Sequence, residues 1–145
     1  MALHLLKLCV GPESVSDLER GIAHRVALAR AAGDAPVARH TTRMVPKRVA
    51  ELLDGGSLYW VIKGQLCARQ KLVGIEPFTD TQGIGRCHLV LHEQVVPLHA
   101  RPVRAFQGWR YLAEKDAPAD LASMGADVVD MPDEMRKELR ALGLL

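Results

Sequence analysis

The sequence predicts an α+β domain, with helices flanking a small, curved, mainly antiparallel sheet or partial β-barrel. Three observations predict it. Apolar residues recur at helical spacing early in the chain, at Leu18, Ile22, Val26 and Ala29. From Leu58 onward the spacing changes to the alternation and the β-branched and aromatic enrichment of strands. Turns bearing glycine or proline then punctuate the chain at short intervals.

Residues 2–9 are mostly apolar and read as an interior strand, ended by Gly11 and Pro12. Ser16 and Glu19 have capping-box spacing and open a helix over 16–32. Arg20, Arg25 and Arg30 fall off its apolar stripe, and Gly33 is placed to cap it. A loop over 34–36 leads to a strand over 37–42. Pro46 suits the first turn of a short helix through Leu53, which would bury Val49, Leu52 and Leu53 and stop at Gly55 and Gly56. Strands follow over 58–63, 66–76 and 86–92, with Gly64 marking a bulge or a close backbone approach and 80–85 a turn. In the third of these, Cys87, Leu89 and Leu91 alternate with Arg86, His88, Val90 and His92. Residues 95–98 continue that strand or begin an edge strand, 101–105 are extended around Pro102, and 106–112 end in a short strand. One or two helical turns are expected over 117–122. A last helix is expected over 130–142, opened by Pro132 and Asp133 and closed by Arg136, Lys137, Arg140 and Gly143.

The 145 residues make one domain, large enough to bury a real core. A composition 48% apolar and 25% charged excludes a disordered chain. No apolar run approaches the ~20 residues of a membrane helix. The first ten residues lack the basic start and small-residue cleavage pattern of a secretory signal. Cys9, Cys67 and Cys87 cannot all pair within the chain, and none forms a Cys-x-x-Cys pair. A reduced, cytoplasmic setting is the expectation. Neither repeats nor low-complexity segments are present.

Charge is unevenly spread. The net charge is +2, but residues 39–115 carry +6 and residues 116–145 carry −4, so a basic middle is followed by an acidic tail. All six aromatics, Tyr59, Trp60, Phe78, Phe106, Trp109 and Tyr111, lie inside the basic middle. Cations beside stacking faces are what a single-stranded nucleic acid needs. Aromatics also favour cores, and at least half of the six are expected there.

Three stretches concentrate this chemistry. Arg43, Lys47 and Arg48 surround Pro46 at the expected helix start, where free N–H groups already attract anions. A solvated basic turn is the plain alternative. Trp60 and Lys63, followed by Arg69 and Gln70, form the second stretch. On a strand Trp60 and Ile62 share one face and Tyr59, Val61 and Lys63 the other, so one of these faces is core. Gln107, Trp109, Arg110 and Tyr111 form the third, with Gly108 permitting close approach. Trp109, beside Gly108 and Arg110, is the aromatic expected to be exposed.

Catalytic patterns are sparse. No Gly-x-Ser-x-Gly elbow, phosphate-binding loop or dinucleotide fingerprint exists, and no cofactor is expected. Cys87, His88, His92 and His99 are close in sequence, but Cys87 points away from His88 on a strand, so no metal is expected.

The stretches 59–64 and 106–112, with 42–48, 51–58 and 116–121, resemble an alphaproteobacterial family of small proteins described only as a domain of unknown function. The resemblance spans residues 2–121 and implies no activity. A second resemblance is architectural. A helix, the Gly55-Gly56 turn, and strands carrying Trp60-Val61-Ile62-Lys63-Gly64 and Leu72-Val73-Gly74-Ile75-Glu76-Pro77-Phe78 are similar to the barrels of the PUA-like group, which includes the PUA, ASCH, EVE and YTH families. That resemblance implies binding of RNA or of a single nucleobase between aromatics. Some ASCH proteins are amidohydrolases of a modified cytidine that use a Lys, a Thr and an acidic residue; Lys63, Thr41 or Thr42, and Glu76 are available here. The Gly-x-Lys-Thr arrangement typical of ASCH is absent, because Lys63 precedes Gly64.

The expectation is therefore an RNA- or nucleotide-binding module. The alternatives are a small enzyme acting on a modified nucleobase and a protein-interaction module that meets an acidic partner.

Overall fold

The computed structural model describes residues 3–121. Along them run β1 (Leu3–Leu8), α1 (Val15–Ala31), β2 (Ala38–Thr42), α2 (Val49–Leu53), β3 (Ser57–Ile62), β4 (Gln65–Thr79), β5 (Gly85–Leu91), β6 (Val96–Pro102) and β7 (Trp109–Ala113), then a 3-10 turn over Glu114–Asp116. The strands order as β2-β5-β4-β3-β1-β7, with β6 paired to β4. β1 and β3 are parallel, and every other pairing is antiparallel. The mixed sheet follows from connection length. α1, β2 and α2 intervene between β1 and β3, which is the kind of crossover a parallel pair requires.

β4 joins the parts. Its first half pairs with β3 and β6 and its second half with β5, and the register slips between Leu72 and Gly74. A slip of this kind bends a strand and raises its twist. β3, third from the β7 edge, is buried at all six positions. Leu58, Trp60 and Ile62 face the larger core with Leu18, Ile22 and Val26 of α1 and Leu52 of α2. Tyr59 and Val61 face a second core with Leu6, Leu66, Leu98 and Leu112. Both faces of this strand are thus core.

Several boundaries differ from the sequence expectation. α1 is capped by Ser14, whose extended backbone lets Oγ accept from Asp17 N–H at 3.1 Å, while Asp17 Oδ2 accepts from Glu13 N–H at 3.2 Å. Ser16 and Glu19 lie within the helix; the cap sits two residues earlier, with the Asp17 carboxylate reaching back to the Glu13 N–H rather than to that of the cap residue. α2 begins at Val49, not at Pro46. The N–H groups of Lys47 and Arg48 donate to the Tyr111 hydroxyl at 3.1 and 3.2 Å, which holds that stretch outside the helix. Lys63 and Gly64, both at positive φ, form a two-residue hairpin turn between β3 and β4 rather than a bulge. Residues 117–120 are not helical; Asp120 bridges to Leu98. The helix expected over 130–142 lies outside the described residues.

Candidate functional site

β7 pairs only with β1 among the described strands and forms an edge of the sheet. The loop 43–48 docks on this edge. Trp109 Nε1–H donates to the Met44 carbonyl at 2.9 Å, and the same carbonyl accepts from Thr42 Oγ1–H at 2.8 Å. Tyr111 OH receives the two loop N–H groups named above. Gly108 sits at φ +68°, and a Cβ there would press on the Met44 methyl at 3.3 Å. Tyr111 stays 37% exposed, and the Arg48 guanidinium lies 5.5 Å from its ring centroid. Arg110 alternates to the other face of β7 and covers Phe106 at 4.7 Å.

Arg43, Lys47, Arg48, Trp109, Arg110 and Tyr111 therefore gather around one edge strand. Their environments differ. Arg48 chelates Glu51, which holds the Glu51 carboxyl below its ordinary range. Arg43 and Lys47 have no ion pair among the described residues. Trp109, expected to be exposed, is buried, because the docked loop covers its ring edge-on to Tyr111. Gln107 is exposed in the turn before β7.

Four of the expected site residues lie elsewhere. Trp60 is buried in the larger core, where Nε1–H donates to Gln70 Oε1 at 2.9 Å. Gln70 is fully buried, and its Nε2 donates to the His92 carbonyl at 2.9 Å. Both are occupied as an internal polar pair. Arg69 makes two hydrogen bonds to Asp120, at 2.6 and 2.7 Å, and one to Ser57 Oγ at 3.0 Å. Lys63 stands at the β3–β4 turn, 3.6 Å from Glu13. Thr41 and Glu76 both neighbour His88 across β5, near the opposite end of β4 from Lys63. The lysine, threonine and acid of the enzymatic reading are thus not assembled.

Two polar arrangements had not been anticipated. Buried His4 accepts the Ser57 N–H at Nδ1 (2.9 Å), which places its proton on Nε2, directed to the Glu114 carboxylate. With Tyr59, Arg69 and Asp120 it lines a polar recess. Burial pushes the Tyr59 hydroxyl up to about 12. The second arrangement lies at the carboxyl end of β1, where Lys7, Arg25 and His40 line a cavity of about 140 Å³ over Trp60 and Gln70. Burial, with Lys7 and Arg25 adding to it, pushes His40 down to about 4, and the ring is neutral. Cys9, also lining the cavity, is pushed up to about 11 by burial and stays a thiol. Among the described residues no three His, Cys, Asp or Glu side chains converge as a metal site would require.

A family model described as a protein of unknown function, DUF1489, matches residues 5–145. The chain belongs to the DUF1489 family. No curated protein matches it, and no solved structure does.

In this DUF1489 chain the polar groups that sequence reasoning missed share one trait: partners far apart in the chain. His4 meets Ser57 and Glu114, and Lys7, His40 and Arg25 come to line one cavity, through sheet register and helix packing. No local spacing signals such a meeting. The one available hint was polarity itself, since His4 and Lys7 interrupt an otherwise apolar strand.

Proposed function

We propose that the protein is an RNA- or nucleotide-binding module whose binding surface is the β7 edge with the docked 43–48 loop. One observation carries the reading: the Tyr111 hydroxyl ties the backbone of Lys47 and Arg48 to the strand while leaving its ring partly exposed. Cations and a stacking face are thereby held together before any ligand arrives, which lowers the ordering cost of binding. Arg43 and Lys47 contact phosphate, Tyr111 stacks on a base, and Gln107 and Arg110 extend the surface around the edge. Arg48, paired with Glu51, contributes less.

A PUA-like relationship belongs to the same proposal. Its support is the bent β3–β4–β5 hairpin series and the flanking helix α1. Three free cysteines fit a reducing, cytoplasmic compartment. No helix among the described residues is long and apolar enough to cross a membrane.

The test is fluorescence anisotropy of a labelled single-stranded RNA at low salt, with unlabelled nucleotide as competitor. Tyr111→Ala is expected to weaken binding by ~1–3 kcal/mol. Tyr111→Phe retains stacking and loses only the loop tether, so it falls between. Equal binding by all three proteins would remove Tyr111 from the site.

A further inference from the structure

The cavity at the end of β1 has properties that neither the edge surface nor the core explains. Its lining comes from β1 and the loop after it, α1, and strands β2 to β5, and includes Lys7, Arg25, Arg39 and His40 but no Asp or Glu. Arg39 is offset by Glu76, with Nε 3.2 Å from the carboxylate. Lys7 and Arg25 have no ion pair among the described residues. His40 Nε2 is buried with no hydrogen-bond partner. Its ring stands edge-on to Trp60, with centroids 5.0 Å apart, which fixes its orientation. A buried polar atom without a partner is costly, and native structures rarely keep one unless a ligand or water meets it. Lys7 and Arg25 line the same cavity, Arg25 with its Nε donated to the Gly21 carbonyl at 3.3 Å, and like charges gathered around one cavity favour an anion there.

We propose that this cavity binds a compact oxyanion, in the form of a phosphate group. Lys7 and Arg25 supply the two charges, and the His40 Nε2–H tautomer donates the third contact. At about 140 Å³ the space lies below the roughly 300–1,000 Å³ of pockets that take whole small molecules. It is sized for the charged group alone. Trp60 and Gln70 also line the cavity and are already hydrogen-bonded to each other, which leaves the basic side chains as the groups to meet an anion. Burial first, and the charges of Lys7 and Arg25 after it, hold the His40 pKa down. An anion there cancels the repulsion from Lys7 and Arg25 and raises that pKa. The inference is independent of the edge surface, since it uses none of its residues.

The experiment is a titration of the folded full chain with inorganic phosphate, followed by NMR of the His40 ring nitrogens and the Trp60 indole N–H. Chloride at matched ionic strength and acetate are the comparison arms. Phosphate is expected to give saturable shifts at both groups, larger than either comparison anion gives, and to raise the His40 pKa. Arg25→Gln, at an exposed helix position, is expected to keep the fold and weaken phosphate about tenfold or more. Lys7→Gln should act likewise, and Arg104→Ala, at an exposed loop position outside both surfaces, should leave the titration unchanged. Acetate matching phosphate would replace the phosphate assignment with a general carboxylate site. Shifts no larger than those from chloride, or a titration untouched by Arg25→Gln, would overturn the proposal.

Discussion

Trp109 and Tyr111 stand two residues apart on one face of β7, and the structure divides them between anchoring and display. Trp109 is fastened to the Met44 carbonyl and buried, whereas Tyr111 keeps part of its ring in solvent. Trp109→Ala is therefore a core truncation, expected to cost ~3–5 kcal/mol of stability by urea denaturation. Inside the sheet, Gln70 satisfies both Trp60 N–H and the His92 carbonyl. Gln70→Leu orphans these groups and is expected to cost ~1–3 kcal/mol for each that stays buried. His40 sets a pH window. Its folded pKa, about 4, lies below the ordinary 6.5, so between these values the unfolded chain binds a proton that the folded chain does not. Stability therefore falls as pH drops from about 6.5 to about 4 and then levels. Thermal midpoints across that range should show the decline in the wild type and a flatter profile in His40→Gln.

At the scale of elements, polar contacts join the packing of Ala117 on the second core in holding the 114–121 segment to the sheet. His4 reaches Glu114, Arg69 grips Asp120, and His99 N–H donates to the Ala119 carbonyl at 2.9 Å. Arg69 holds the Asp120 carboxyl below its ordinary value of 3.8. A depressed carboxyl stabilises above its unfolded pKa and loses that contribution as pH falls through the folded one. This window lies below that of His40, so the two effects separate in one acid titration. Asp120→Asn should reduce the lower-pH component, to which Glu51 and Asp80 also contribute, and loosen the segment, seen as faster amide exchange at His99. The junction between α2 and β3 depends on backbone approach: a Cβ at Gly56 would overlap the carbonyl oxygens of Leu3 and Leu52. Gly56→Ala must displace β1 or α2, and it is expected to lower the thermal midpoint more than Gly85→Ala, where a Cβ meets open space.

Across the whole molecule, what was legible in the sequence was local. The Leu18-Ile22-Val26 stripe located α1, the alternation at Cys87, Leu89 and Leu91 located β5, and the glycines after Asp80 located the turn before it. The parallel pairing of β1 with β3 was not legible, because register between strands some fifty residues apart is set by packing. The same holds for the site. Arg43, Lys47, Arg110 and Tyr111 are singled out by composition, but only the docking of 43–48 on β7 decides that Trp109 is buried and Tyr111 stays partly exposed. Trp60 and Gln70 looked like ligand groups for the reason that makes them partners: a buried indole N–H needs an acceptor. The proposed role of the edge formed by this docking is to bind the phosphate backbone. Its most direct measurement is the salt dependence of single-stranded RNA affinity for the wild type and for Arg43→Ala/Lys47→Ala. If both cations contact phosphate, the double variant binds more weakly to every RNA sequence, and its log–log salt slope is shallower by about 1.4, or ~0.7 per contact. An unchanged slope, or a wild type that binds no RNA at low salt, would contradict the account.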